Sequence, residues 1–240
     1  YILMANKSKY LSNTHLAEAI DISEGRVVNT FNIDKFGYNS AVGSSYETIW
    51  DGNNLYTYIA TAGTAVVTSS NTSDDNGGTV EIQGLDANYN LVSETLTIGG
   101  SAGSVQFFRV FRAFMVTANT GLVNSGTVTI TVDSKSAAII TAGEGQTLMA
   151  LYTIPAKHTG YLTQLDIGSS KDLENTVRII TCHGNAVKNT KAFVTKRGGF
   201  SEKTFKIPLR IPEKYDIEVQ GKSSATSSIS AGFELILVKK

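Results

Sequence analysis

The sequence predicts an all-β protein, two antiparallel β-sandwich (jelly-roll-like) domains behind an extended N-terminal arm. Three observations predict it. Ser and Thr supply 50 of the 240 residues, glycine is abundant at 22 and proline scarce at 3, a mixture that suits strands with small polar faces joined by glycine turns. Apolar and polar side chains alternate through Thr79–Gln83, Leu91–Ile98, Thr127–Val132, Tyr161–Ile167 and Phe233–Val238, so each run offers one face to a core. Turn signals separate these runs at spacings of roughly 8 to 14 residues, the rhythm of sandwiches and barrels.

Residues 1–36 read as the arm. Ser12-Asn13-Thr14 can cap a short helical turn over Leu16–Ile20, but the segment is too brief to bury its own apolar residues. Leu11, Leu16, Ile20, Ile22, Val27, Val28 and Phe31 must therefore lie on the body or on a neighbouring subunit, since leaving apolar area wet forfeits roughly 25 cal/mol per Å². The first sandwich is expected over 37–146 and the second over 147–240, with a seam at Ala142-Gly143-Glu144-Gly145-Gln146. Asn76-Gly77-Gly78, Gly99-Gly100 and Gly198-Gly199 supply turn positions that tolerate positive φ. Tyr1-Ile2-Leu3 ahead of Met4 reads as an upstream extension.

Lys plus Arg and Asp plus Glu both number 21, so the chain as a whole has no basic excess for nucleic acid or anionic lipid. The balance conceals a polarity. Residues 1–146 hold 7 basic and 13 acidic side chains, a net of −6, while 147–240 hold 14 and 8, a net of +6. Either two solvated surfaces differ in charge, or copies attract head to tail, or the basic half sits on an acidic partner. No apolar run approaches the length of a spanning helix, and no basic-apolar-small leader opens the chain, which predicts a soluble, non-secretory protein.

Chemical motifs are weak. A single cysteine, Cys182, excludes a disulfide framework and Cys-rich zinc patterns. Cys182-His183 would place thiol and imidazole on opposite strand faces. His15, His158 and His183 lack a supporting triad pattern, and no G-x-S-x-G pentad occurs. Asp86-Ala87-Asn88-Tyr89-Asn90 begins like a calcium loop, but Leu91 replaces the glycine and Thr97 the closing Glu, so an Asx turn is expected. Ser73-Asp74-Asp75-Asn76 reads as a solvated acidic loop. Gly99–Gly103 lacks the Lys and Ser/Thr of a phosphate loop. Glu81, Asp86 and Glu94 form no recognisable glycosidase pair, and Trp50, Tyr56 and Tyr58 read as core in preference to a sugar-stacking platform. No catalytic residue, metal ligand or cofactor site is nominated. In Phe107–Val116, each strand face mixes aromatics with one arginine. The acidic balance of this half argues for a strand between a core and another subunit, with Arg109 and Arg112 paired to carboxylates.

Beyond these residue-level readings, FGYNSAVGSSYETIWDG at 36–52 followed by Leu55-Tyr56-Thr57-Tyr58 resembles virion structural proteins of marine tailed phages. The likeness continues through Ser73–Asp75, Val80–Asp86, Ser93–Thr97, Phe108–Arg112, Leu151–Ala156, Thr159–Thr163 and Ser230–Glu234, in order from about residue 30 to the end. It implies a particle component, located in the virion and assembled in the host cytoplasm, without saying which. The expected function is a non-enzymatic capsid decoration or cement protein. The runner-up is a tail or neck adaptor, or a fibre-like receptor module contacting a host glycan; a third reading is a carbohydrate-active β-sandwich enzyme. Expected partners are its own copies, as a homotrimer or other closed ring, and the major capsid protein or another virion protein, with no nucleic acid and no membrane. Contacts are expected at Leu16, Ile20, Val28 and Phe31 of the arm and at Arg109 and Arg112.

Overall fold

The structure, a computed structural model, describes residues 14–184 and 187–240, with side chains given from residue 19 onward. Its elements are α1 (Thr14–Ser23), β1 (Thr30–Val42), β2 (Glu47–Thr48), β3 (Gly63–Thr64), β4 (Val66–Ser69), α2 (Thr72–Asp75), β5 (Thr79–Leu85), β6 (Leu91–Thr97), β7 (Gln106–Phe107), β8 (Arg109–Thr117), β9 (Val128–Val132), β10 (Lys135–Ile140), β11 (Leu151–Thr153), β12 (His158–His183), β13 (Asn189–Ile211), β14 (Tyr215–Ser223) and β15 (Ser227–Lys239). The fold is all-β and its ladders are antiparallel. All five runs with period-two alternation fall on strands: β5, β6, β9, β12 and β15.

Two cores organise the chain. The first lies between the three-stranded sheets β10-β9-β4 and β6-β5-β8, where Val67, Val80, Ile82, Val110, Val128, Ile130 and Ile140 meet Trp50 and Tyr56. The second lies inside a seven-stranded sheet ordered β1-β15-β12-β14-β11, with β13 added on β12 and β2 on β14. That sheet curls into a nearly closed barrel around Leu162, Leu165, Ile167, Val177, Ile179, Ile217, Val219, Phe233 and Leu235. Because β12 is long, its first half pairs with β15 and its second half with β14. The register break between Ser169 and Glu174 is the corner that lets one strand serve both walls.

The two cores share their dividing wall. Ile49, Ala150 and Tyr152 enter the barrel core, whereas Trp50, Met149 and Leu151 enter the sandwich core. Successive side chains of an extended chain point to opposite sides, so 49–50 and 149–152 feed both interiors at once. At β8 a bulge performs the same division. Gln83 pairs with Arg112 and Gly84 with Val110, so Phe111 is the extra residue; it turns into the barrel core while Val110 and Ala113 stay in the sandwich core. Strict alternation, as read from the sequence, would have put Phe111 and Ala113 on one face.

Two segments depart from what the sequence predicts. Residues 30–36, expected in the arm, form the start of β1, which pairs with β15 from Thr30↔Val238 to Val42↔Ser227. Their alternation is masked by Asp34 and Lys35, and pairing with the C-terminal strand is what orders them. The Gly198-Gly199 pair has positive φ at both residues but does not join two strands. It lies within β13, opposite the β12 corner, and lets that strand follow the bend. The helical turn is present as α1, although Ser12 and Asn13 lie outside the described residues.

Gly37 marks where β1 crosses the dividing wall. A Cβ there would overlap the Ile49 carbonyl oxygen and the Ala150 amide nitrogen, backbone atoms that are themselves hydrogen-bonded at 3.0 Å. Gly37→Ala is therefore expected to destabilise by about 1–3 kcal/mol, the usual range for overpacking. Thermal unfolding checks it at about 2–4 °C per kcal/mol for a chain of this size; an unchanged melting temperature would show that the crossing is looser than described.

Candidate assembly surface

Strand β14 reads Asp216-Ile217-Glu218-Val219-Gln220, an ordinary alternation. Ile217 and Val219 fill the barrel core, and on an isolated sheet the polar face would be wet. Here it is buried as well. Arg109, only 2% exposed, enters from β8. Its Nε and Nη2 donate to Asp216 Oδ1 and Oδ2 at 2.8 and 3.0 Å, and Nη1 donates to the carbonyls of Ile59 and Phe108 at 3.1 and 2.9 Å. The guanidinium also lies 4.2 Å from the Phe108 ring centroid and 4.9 Å from that of Tyr58. Thr153 donates a further hydrogen bond to Asp216 at 2.6 Å. Glu218 accepts from the Thr48 hydroxyl, the Gln220 amide and the Lys188 ammonium at 2.5, 2.7 and 2.9 Å. Burial by itself would lower the Arg109 pKa, and the Asp216 carboxylate overrides it to hold the pKa above the usual arginine value.

The carboxylate that Arg109 pairs with is thus Asp216 of its own chain. Arg112 has no carboxylate partner among the described ion pairs; it is exposed, reaches Gln146 Oε1 at 3.3 Å and covers the Phe114 ring at 4.7 Å. Beside it, buried Lys35 donates to the Phe111 carbonyl. Burial first, and the Arg112 charge second, lower the Lys35 pKa to about 7 against the opposing pull of Asp34. In the arm, Val28 is 82% exposed and Phe31 47%, Ile20 is half-buried, and the side chain of Leu16 lies outside the described residues.

The other motifs resolve into structural roles. Asp86 accepts from the amides of Asn88 and Asn90 at 2.8 and 2.9 Å, the expected Asx turn. Asp75, read as part of a solvated loop, is instead buried and accepts from Ser69, Ser125 and Gly126 at 2.5, 2.7 and 2.8 Å. Trp50 and Tyr56 are buried and stack edge to face with each other and with the half-buried Tyr58 at 5.0 Å, an anchor of the first core. Cys182 is buried, its pKa pushed up to about 11 by burial, while His183 points outward. Among the described residues no three His, Cys, Asp or Glu side chains gather as a metal site, and no helix is long and apolar enough to cross a membrane.

What remains exposed is uneven. Strand β13 pairs only with β12, leaving its other edge open. It carries Lys191, Lys196, Arg197, Lys203, Lys206 and Arg210 against Glu202 alone, a net of +5. Almost all of the +6 of residues 147–240 is therefore on one edge strand. Phe193, Phe200 and Ile207 stand out of it at 65, 71 and 83% exposure. Ile207 projects because residues 205–208 bulge: Leu162 pairs with Leu209 and Gln164 with Thr204, leaving four residues opposite one.

Next to this edge lies a row of carboxylates. Asp34 on β1 pairs with Glu234 on β15, and Asp166 on β12 pairs with Glu202 on β13. Gln164 stands opposite Glu234 and donates to Asp166 at 3.0 Å. Partial burial and then the charges of Asp34, Asp166 and Glu202 raise the Glu234 pKa. None of the four has a cationic partner among the described ion pairs. The row borders a groove of about 680 Å³, walled by Phe36, Tyr38, Phe200 and Glu144 with Gly168 and Gly232 also lining it. Sequence reasoning missed this surface because its residues lie on four separate strands; the run of lysine and arginine in 191–210 was the available signal.

No protein-family model matches the sequence, and no curated protein matches it. Among solved structures it is similar to the Yersinia pseudotuberculosis-derived mitogen, at 13% identity over 38% of this chain and 82% of that one, with a TM-score of 0.17. It is also similar to infectious bursal disease virus Gt strain, at 14% identity over 88% and 71% with a TM-score of 0.23. Sulfolobus Turreted Icosahedral Virus is similar at 10% identity over 89% and 94%, with a TM-score of 0.18. Similarity at this level assigns neither a fold family nor a role.

Two outcomes follow from the interior charges. Arg109→Met strands the Asp216 carboxylate and is expected to cost about 3–5 kcal/mol, whereas Arg109→Met with Asp216→Leu recovers most of the loss; denaturant unfolding of both variants checks this, and equal losses would reject the pairing. Lys35 has a folded pKa below its unfolded one, so between about pH 7 and its unfolded value the unfolded chain binds more protons and stability rises with pH. That contribution is lost as pH falls through the folded pKa. Over pH 7 to 8.5, below the titration of Cys182, melting temperature is expected to climb more steeply in the wild type than in Lys35→Met, and parallel curves would refute the assignment.

Proposed function

We propose that this chain is a non-enzymatic virion structural protein, a decoration or cement subunit on the outer capsid shell of a tailed phage. The observation that carries the proposal is the open β13 edge, a 23-residue strand bearing cations and three exposed apolar side chains beside a carboxylate-lined groove. Three large apolar side chains left wet on an open strand edge are area that a partner would cover. A subunit that matches a shell and its own copies needs complementary area and charge and no reactive group. The ordered sequence blocks resembling marine tailed-phage virion proteins point the same way. The buried side of the charge distribution fits too, since Arg109, Asp216 and Glu218 are satisfied internally and serve folding.

Self-assembly as a homotrimer or other closed ring is part of this reading, with Val28 and Phe31 as exposed apolar contacts near the arm and Arg112 as an exposed cation. The second reading, a tail or neck adaptor or fibre-like module, draws support from the groove itself, where Phe36, Tyr38 and Phe200 beside Asp34 and Asp166 could stack and hydrogen-bond a host glycan.

Gel densitometry of purified particles separates the two. The decoration role predicts a copy number rivalling the major shell protein; a few copies per particle would favour the adaptor or fibre, and absence from particles would refute both.

A further inference from the structure

We propose that the cationic edge of β13 in one copy docks on the carboxylate row Asp34, Glu234, Asp166 and Glu202 of a second copy. The inference deepens the assembly reading above and rests on it for the presence of many copies. An open strand edge with exposed apolar groups invites another strand, and the simplest partner is the same edge of a neighbour. Here that pairing would set a net of +5 against +5, and like charges in apposition are strongly unfavourable. The edge is thus protected from itself and open to an acidic surface.

The same molecule carries that surface. Four carboxylates crowd on adjacent strands with no cation of their own among the described ion pairs, and like charges across neighbouring strands weaken a sheet unless something compensates them. Each patch supplies what the other lacks. The charges match in scale as well, four carboxylates on adjacent strands against a net of +5 on the edge, so the contact offsets most of both. Aromatic side chains border each patch, with Phe193 and Phe200 on the edge and Phe36 and Tyr38 at the groove. A nucleic acid is the lesser candidate. Interleaved lysine and phenylalanine would suit single strands, but phosphates laid along β13 would meet Glu202 and the neighbouring carboxylates. Used reciprocally the contact makes a two-fold pair; used head to tail it builds a ring or an array.

Zero-length carbodiimide crosslinking of a mixture of isotopically light and heavy wild-type protein tests this directly. Mixed-isotope crosslinks joining Lys191, Lys203 or Lys206 to Asp34, Asp166 or Glu234 are expected; crosslinks between copies at other places overturn the proposal. Sedimentation gives the second measurement. Lys203→Glu with Lys206→Glu, and separately Asp34→Lys with Glu234→Lys, should each weaken self-association at least about tenfold, and an equal mixture of the two variants should restore it. Self-association should also weaken as salt shortens the screening length from about 10 Å at 0.1 M to about 3 Å at 1 M. A wild type with Kd weaker than about 1 mM, a mixture that does not recover, or β13 holding a single-stranded oligonucleotide more tightly than a second copy overturns the contact. Should a variant fail to fold, the wild-type crosslinks and salt series decide. A monomer abundant in particles removes this contact and leaves the particle reading; a self-associating protein absent from particles does the reverse.

Discussion

The bidentate pair between Arg109 and Asp216 is the constraint around which the two halves are arranged. Both side chains are buried where the sandwich core and the barrel core meet, and a buried charge is tolerated only when its partner and its remaining hydrogen bonds are in place. Meeting that condition fixes a good deal else. Thr153 must bring its hydroxyl to the same carboxylate, and the carbonyls of Ile59 and Phe108 must face the guanidinium. β8 must then enter at one register, and Gly84 must leave room for the Arg109 carbonyl, which a Cβ would overlap.

The same wall explains why the halves cannot be regarded as beads on a string. Residues 49–50, 110–111 and 149–152 each send side chains to both cores, so a shift of one residue would exchange their contents. β1 enters the barrel from the N-terminal side and β2 pairs with β14, which ties early sequence to late. A polar layer between two apolar cores adds little net stability compared with a greasy one, but it permits few alternative alignments, because any other would bury Asp216 or Glu218 unpaired.

Charge is sorted accordingly. Inside, Arg109, Asp216 and Glu218 have partners within the chain. Outside, the cations of β13 and the carboxylates of β1, β15 and β12 form none of the described ion pairs, and exposed charge of that kind acts on association and partner choice more than on folding. Lysine along an open edge also keeps identical edges apart. Assembly and folding therefore draw on separate sets of charged residues, which allows the outer set to change without unfolding the protein.

How far this was legible varies with the range of the interaction. Period-two alternation and glycine content are local, and they sufficed for the all-β class, for the strands at Thr79, Leu91 and Phe233, for the Asx turn at Asp86, and for Cys182 and His183 facing apart. The charge division between the halves was legible too, as a sum over residues. Other features were decided only in three dimensions. Asp216-Ile217-Glu218 looks like any half-exposed strand until a second core covers its polar face; Arg109 looks like a surface contact until Asp216, more than a hundred residues away, closes on it. Residues 30–36 look like a loose arm until β15 pairs with them, and the carboxylate row exists only because β1, β15, β12 and β13 lie side by side. Alternation tells which side chains share a face of one strand, but what that face meets depends on segments distant in sequence, and burial, charge pairing and surface shape are properties of that meeting.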